Sequence, residues 1–114
     1  MGLDDISEFS SETSIGTIRV RILDLENGLL ILISDKERFR LGLSAVAIPS
    51  GQGSSDPTST GLFSMGLDNA LVRTVTERVA SWTNRTCIII TGLNQMNREI
   101  MLEIVSLLRD HFVT

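Results

Sequence analysis

Glycine-rich segments can bind phosphates through backbone N–H groups, so a small-residue stretch near the middle of the chain is the first candidate for chemistry. Gly51, Gly53 and Gly61 lie close together there. A P-loop needs the order G-x-x-x-x-G-K-[ST], and the single lysine, Lys36, lies far from these glycines. The G-x-G-x-x-G fingerprint of dinucleotide-binding sites is also incomplete here, because its third glycine is missing. We therefore expect residues 50–56 to form a flexible loop, and we expect no nucleotide and no other cofactor.

Side chains that could act as a nucleophile, a base or a metal ligand are few, with one cysteine and one histidine in the chain. Cys87 lies in an apolar segment, which is typical of a small buried hydrophobe. His111 falls near the end of a predicted helix, where a cation complements the helix dipole. One cysteine cannot form an internal disulfide or a zinc site of the Cys type. We predict that the protein is not an enzyme and has no catalytic or metal-binding residue.

Arginine use is more informative, because the chain has nine arginines and one lysine. Arginine forms forked hydrogen bonds and stacks on other groups, which favours it in protein interfaces. Arg19 and Arg21 alternate with Ile18, Val20 and Ile22, and this period of two predicts a half-buried strand. The formal net charge of −4 argues against nucleic acid as a partner. These arginines therefore suggest a protein-binding surface.

The clearest element is a β-hairpin. Asn27-Gly28 predicts a two-residue type I′ turn between strands at Thr17–Leu25 and Leu29–Ser34. This turn sets a register in which Leu23 lies opposite Leu32. One face of the hairpin carries isoleucine and valine, and the other carries leucine next to arginine. The six candidate interface residues on this second face are Arg19, Arg21, Leu23, Leu25, Leu30 and Leu32.

Both faces of the hairpin are apolar near its tip, whereas a free sheet usually keeps one face polar. The segment Thr86–Leu93 is also apolar without alternation at its centre, which predicts a central strand covered on both faces. We therefore expect cover on both sides of the hairpin. Together with the adjacent arginines this favours a protein-binding surface on the second side, and the sequence leaves open whether this chain's own helices cover that side.

The other elements follow from periodicity and capping signals. Further strands are predicted at Ile6–Ser11, Phe39–Ile48 and Thr58–Met65, and helices from Asp68 or Asn69 to about Trp82 and from the cap Asn97 to about Phe112. Strands come first and helices late, which predicts an α+β fold: a mainly antiparallel sheet of about six strands with two helices packed on one face. We expect one domain over residues 6–114, preceded by a flexible tail at residues 1–5.

With these elements placed, the chain resembles the proteasome assembly chaperone 4 family over about residues 7–112. The resemblance lies in the order and spacing of short segments, none of them specific alone. They are the hairpin at 18–34, L-S-A-V-A-I at 43–48 followed by a small-residue loop, S-T-G-L at 59–62, W-T-N-R at 82–85, and the closing I-I-I strand and amphipathic helix. Trp82 stands where the family has a basic residue, which puts a charge role of that position in doubt.

The resemblance implies a non-catalytic chaperone. Such proteins pair with a sister, proteasome assembly chaperone 3, and the pair binds alpha-type subunits while the alpha ring of the 20S proteasome forms. It implies a heterodimer, a homodimer when the sister is absent, and a location in the cytoplasm and also the nucleus. No apolar run reaches the length of a membrane span, and the acidic start is unlike a signal peptide, so we expect no membrane partner.

An alternative function remains open. A similar sheet with helices occurs in profilin-like and roadblock-like proteins, so the chain would then be a homodimeric scaffold or regulator of a GTPase or trafficking complex. The identity of the bound partner separates the two functions.

Overall fold

The computed structural model describes residues 5–50, 58–63 and 67–113. The predicted tail, apart from Asp5, and the predicted loop at residues 50–56, apart from Ser50, lie outside the described residues. The elements are β1 (Ile6–Thr13), β2 (Gly16–Leu25), β3 (Gly28–Ser34), β4 (Leu43–Ile48), β5 (Thr58–Phe63), α1 (Leu67–Thr83), β6 (Cys87–Gly92) and α2 (Arg98–Phe112).

The six strands form one sheet in the order β1-β2-β3-β6-β4-β5. Four of the five strand pairs are antiparallel, and only β3 and β6 run parallel. The last strand of the chain is therefore inserted between β3 and β4, at the centre of the sheet. The structure confirms the predicted α+β class and the mainly antiparallel sheet.

Both helices pack on the same face of the sheet. α1 lies over β4, β5 and β6, while α2 lies beside α1 and reaches β1. One continuous core joins the inward residues of the strands to those of the helices. Its fully buried members include Ile18, Val20, Ile31, Ile89 and Leu108. The period of two thus correctly identified the buried face of the hairpin.

The start of α2 is fixed by a side-chain cap, as predicted. The Asn97 Oδ1 atom accepts a hydrogen bond from the Ile100 backbone N–H at 2.9 Å. The cap satisfies one of the backbone donors that the first helical turn leaves without a partner. α1 differs from the prediction, because it begins at Leu67 and so includes Asp68 and Asn69 in its first turn.

The turn of the hairpin lies one residue earlier than predicted. Leu25 pairs with Gly28, so the turn is Glu26-Asn27 and Leu23 lies opposite Leu30 rather than Leu32. Neither Asn27 nor Gly28 has a positive φ. A Cβ at Gly28 would lie 2.5 Å from the Thr86 carbonyl oxygen, so this glycine serves a close approach between strands. The register shifts by two residues, which leaves every side chain on its predicted face.

The fourth strand is shorter than predicted, because Phe39 to Gly42 are not part of the sheet. The Arg40 guanidinium donates hydrogen bonds to the Gly92 carbonyl at 3.0 Å and to Asn94 Oδ1 at 2.9 Å. These bonds hold the segment across the end of β6 and leave Leu41 76% exposed. Alternation at positions 39–43 therefore did not indicate a strand. The predicted end of the fifth strand at Met65 lies outside the described residues.

Among the helices that the structure describes, none has the length and apolar character needed to span a membrane.

Candidate protein-binding surface

The sheet face opposite the helices, which we call the open face, is largely apolar. Leu23, Leu30 and Leu32 lie on it and are half-buried, while Leu25 is 40% exposed at the hairpin tip. No helix or strand among the described residues packs on this face. The structure thus brings the four predicted leucines together on one surface, and their role in binding stays a prediction.

The central strands extend this apolar surface beyond the predicted residues. In the parallel register of β3 and β6, Leu30 lies beside Ile88 and Leu32 beside Ile90. On the next strand, Val46 lies beside Ile88. Ile48, farther along the same strand, is 54% exposed. The uninterrupted isoleucine run was the signal for Ile88 and Ile90, but it did not reveal that β3 and β6 are neighbours.

Arg19 and Arg21 lie on the open face, where they share one carboxylate. Glu8 on β1 forms salt bridges to both, with 2.9 Å between the Arg21 Nη2 atom and Glu8 Oε2. Glu8 is opposite Arg21 in the β1–β2 register, so the pairing of these strands places it there. Sequence reasoning missed Glu8, since the pairing partner of β1 was not predicted.

A loop after β3 covers the corner of the open face that holds the arginines. The Phe39 ring lies 4.6 Å from the Arg21 guanidinium carbon and 5.2 Å from that of Arg19, within cation–π range. The Ser34 hydroxyl donates to the Arg38 carbonyl at 3.1 Å and fixes the same loop. The arginines are thus held in place at the border of the apolar surface.

Glu8 makes the arginine corner sensitive to acid. The hydrogen bond from Arg19 is the main cause that holds the pKa of Glu8 below its ordinary value of 4.5, and the hydrogen bond from Arg21 is the next largest cause. Because the pKa is lower in the folded than in the unfolded state, ionised Glu8 stabilises the fold at pH values above its ordinary pKa. This stabilisation is lost as the pH falls through the pKa of the folded state. We expect Glu8→Gln to lower the thermal unfolding midpoint at neutral pH. The difference in midpoint between this variant and the unchanged protein should become smaller below pH 4.5.

Circular dichroism melts from neutral pH into the acid range measure this effect. Glu26→Gln, in the exposed hairpin turn, removes a glutamate elsewhere and is the matched control. A difference between Glu8→Gln and the unchanged protein that stays constant with pH would contradict the prediction.

The W-T-N-R segment connects α1 to β6 and fastens the hairpin tip. The Arg85 guanidinium donates to Asp24 Oδ1 at 2.6 Å, to the Gly28 carbonyl at 3.2 Å and to the Leu25 carbonyl. Asn84 has a φ of 55°, in the left-handed region, directly after the helix ends. Trp82 is half-buried against the core. The segment therefore positions the end of the open face that Leu25 and Ile88 share.

Asn84 is expected to be required for its backbone conformation. Asn84→Val should lower the free energy of unfolding by about 1–2 kcal/mol, because a β-branched residue is strained at positive φ. Asn84→Gly should leave stability unchanged or raise it slightly, because glycine adopts this φ without strain. Urea denaturation of both variants measures the effect. Equal losses of unfolding free energy in the two variants would contradict this prediction, because they would show that the asparagine side chain and not the backbone conformation is required.

Cys87 and His111, the side chains considered for chemistry, both pack against other parts of the chain. Cys87 is buried, and burial raises the pKa of its thiol, which disfavours the reactive thiolate. The His111 ring stacks on Phe9 with 4.6 Å between ring centres. Within residues 5–50, 58–63 and 67–113, no three His, Cys, Asp or Glu side chains are grouped as a metal site requires.

Comparison with known proteins gives a likeness of fold. No family model matches the chain, and no curated protein matches it. A solved yeast structure, described as a novel chaperone complex for 20S proteasome assembly, contains a chain that superposes with a TM-score of 0.67 at 16% sequence identity. The match covers 94% of each chain. The protein shares that chain's fold. At this identity the likeness establishes the fold alone.

Proposed function

We propose that this protein is a non-catalytic assembly chaperone of the 20S proteasome that acts as one half of a pair. The observation that carries the proposal is the apolar open face on a chain whose fold matches a member of a proteasome assembly chaperone complex. Six half-buried apolar side chains lie on this face, where a monomeric sheet would normally be polar. They are Leu23, Leu30, Leu32, Val46, Ile88 and Ile90.

The open face suits a partner that also presents a sheet. Two sheets pack about 10 Å apart with interdigitating side chains, and half-buried leucine and isoleucine supply such contacts. A cavity of about 170 Å³ lies beside Leu25, Leu30 and Ile88 at one end of the face. It is large enough to accept an apolar side chain of the partner, which is how the best-packed positions of interfaces are built.

The partner we propose is a sister of the proteasome assembly chaperone 3 kind, with the pair binding alpha-type subunits during formation of the alpha ring. Self-pairing through the same face is expected when the sister is absent. The proposed location is the cytoplasm and also the nucleus. The buried thiol of Cys87 and the stacked ring of His111 support a role without catalysis.

Affinity purification of the tagged chain from extract of its source cells, followed by mass spectrometry, tests the proposal. We expect alpha-type proteasome subunits together with a sister of similar size and little mature beta ring. An untagged extract processed in parallel is the control for proteins that bind the resin. Recovery of a GTPase or trafficking complex without proteasome subunits would overturn the proposal in favour of a profilin-like or roadblock-like scaffold.

A further inference from the structure

A groove of about 580 Å³ lies between β1 and α2, away from the open face. Its helical wall is formed by residues spaced three and four apart, which places them along one side of α2. These residues are Glu103, Ser106, Leu107, Asp110 and His111. The other wall is formed by Phe9 to Thr13 of β1. The groove is therefore bounded by a helix on one side and by a strand on the other.

The strand wall is an edge of the sheet. β1 is the first strand in the order and pairs only with β2 among the described residues. Consecutive residues from Phe9 to Thr13 line the groove, although alternate side chains point to opposite faces of the sheet. The backbone of β1 thus contributes to the wall. In an edge strand, alternate residues direct their backbone N–H and C=O groups away from the paired strand, where another strand can bond to them.

Two contacts hold α2 at a fixed separation from the strand. At one end the His111 ring stacks on Phe9. At the other end Glu103 accepts hydrogen bonds from the Ser14 backbone N–H at 2.9 Å and from the Ser14 hydroxyl at 2.6 Å. The groove between these contacts is therefore preformed, which reduces the entropy lost when a ligand binds.

The charge of the groove indicates its ligand. Two carboxylates of α2 line it, from Glu103 and Asp110, and its lining contains no lysine or arginine. The Glu12 side chain points to the open face, where it accepts a hydrogen bond from the Thr17 hydroxyl. Phe9 and Leu107 add apolar surface. An edge strand beside a helix binds extended peptides by adding them to the sheet, with the side chains providing specificity. Basic side chains alternating with apolar ones would match these walls.

We propose that the groove between β1 and α2 binds an extended segment of a partner protein that carries basic side chains, and that this segment adds a strand to the free edge of β1. The five lining residues of β1 span about 17 Å, which corresponds to a segment of about five residues. This surface is separate from the open face. The protein could therefore hold its sister on one surface and a basic segment of another protein on the second.

Fluorescence anisotropy with labelled peptides of about seven residues tests this proposal. The probe alternates lysine and valine, and the control peptide alternates glutamate and valine. We expect the basic peptide to bind at least about tenfold more tightly than the acidic one. The same basic peptide with alternate amides N-methylated should bind at least about tenfold more weakly, because it cannot bond to the edge. Equal affinity of basic and acidic peptides would overturn the proposal.

Matched variants of α2 locate the site. Asp110→Lys should weaken binding of the basic peptide by about tenfold or more, while Glu99→Lys, an equal charge change outside the groove, should change it less than about twofold. Ser106→Trp should block the groove, whereas Leu102→Trp on the same helix should not. Unchanged binding in Ser106→Trp would overturn the proposal. The pair Leu23→Asp and Leu32→Asp should leave peptide binding intact, which separates this site from the open face.

Discussion

Replacing Leu23 and Leu32 together with aspartate is expected to abolish pairing with the sister chaperone while the chain stays folded. Both leucines are half-buried on the open face, so their carboxylate replacements reach water in the isolated chain. In a complex they would be buried without partners, at a cost of about 3–5 kcal/mol for each charge. Since 1.4 kcal/mol corresponds to a factor of ten, affinity should fall at least about a thousandfold.

Size-exclusion chromatography of the chain co-expressed with its sister measures this loss, with circular dichroism to verify folding. The matched control is the pair Leu102→Asp and Val113→Asp, which changes two apolar side chains of α2 and its C-cap that are 52% and 54% exposed, on the opposite side of the sheet from the open face. The control should co-elute with the sister like the unchanged protein. Co-elution of the Leu23→Asp and Leu32→Asp variant would rule out the open face as the interface.

Leu108→Ala is expected to cause a large loss of stability. Leu108 is fully buried in the core that joins α2 to the sheet. Truncating it removes apolar contacts and leaves a cavity, and such changes cost about 2–5 kcal/mol. Urea denaturation should show a lower midpoint with the slope unchanged, because the surface exposed on unfolding stays nearly the same.

Leu102→Ala provides the matched control, because it makes the same change on the same helix at a side chain that is 52% exposed. It should cost less than about 0.5 kcal/mol. Similar losses in the two variants would contradict the placement of α2 against the sheet. The comparison also separates residues that stabilise the fold from the leucines of the open face, whose main effect is expected on pairing.

Local patterns predicted the local features of this fold. Alternation along Thr17–Leu25 identified which side chains are buried, and Asn97 identified the start of α2, because both depend on neighbouring residues. The Asn27-Gly28 turn was misplaced because Gly28 is needed where β3 approaches the Thr86 carbonyl, a contact between distant segments. The fold class was still predicted correctly, because a register shift of two residues leaves each side chain on the same face of the sheet.

Features that depend on distant pairing could not be predicted in the same way. The apolar run at Ile88–Ile90 indicates burial on two faces but does not say whether this chain or another covers the second one. The structure shows both helices on one side, so the other face of β6 is open within the described chain. Glu8 was missed for the same reason, because only the pairing of β1 with β2 brings it to Arg19 and Arg21.

Methyl NMR of the protein, alone and in complex with the sister recovered from its source cells, tests most directly that the open face is the pairing surface. Leucine, isoleucine and valine methyl groups on the open face should lose contact with a soluble paramagnetic probe when the complex forms, while Leu102 and Val113 stay accessible. The residues that report this are Leu23, Leu30, Leu32, Val46, Ile88 and Ile90. Protection of Leu102 with an accessible open face would contradict the proposed pairing surface.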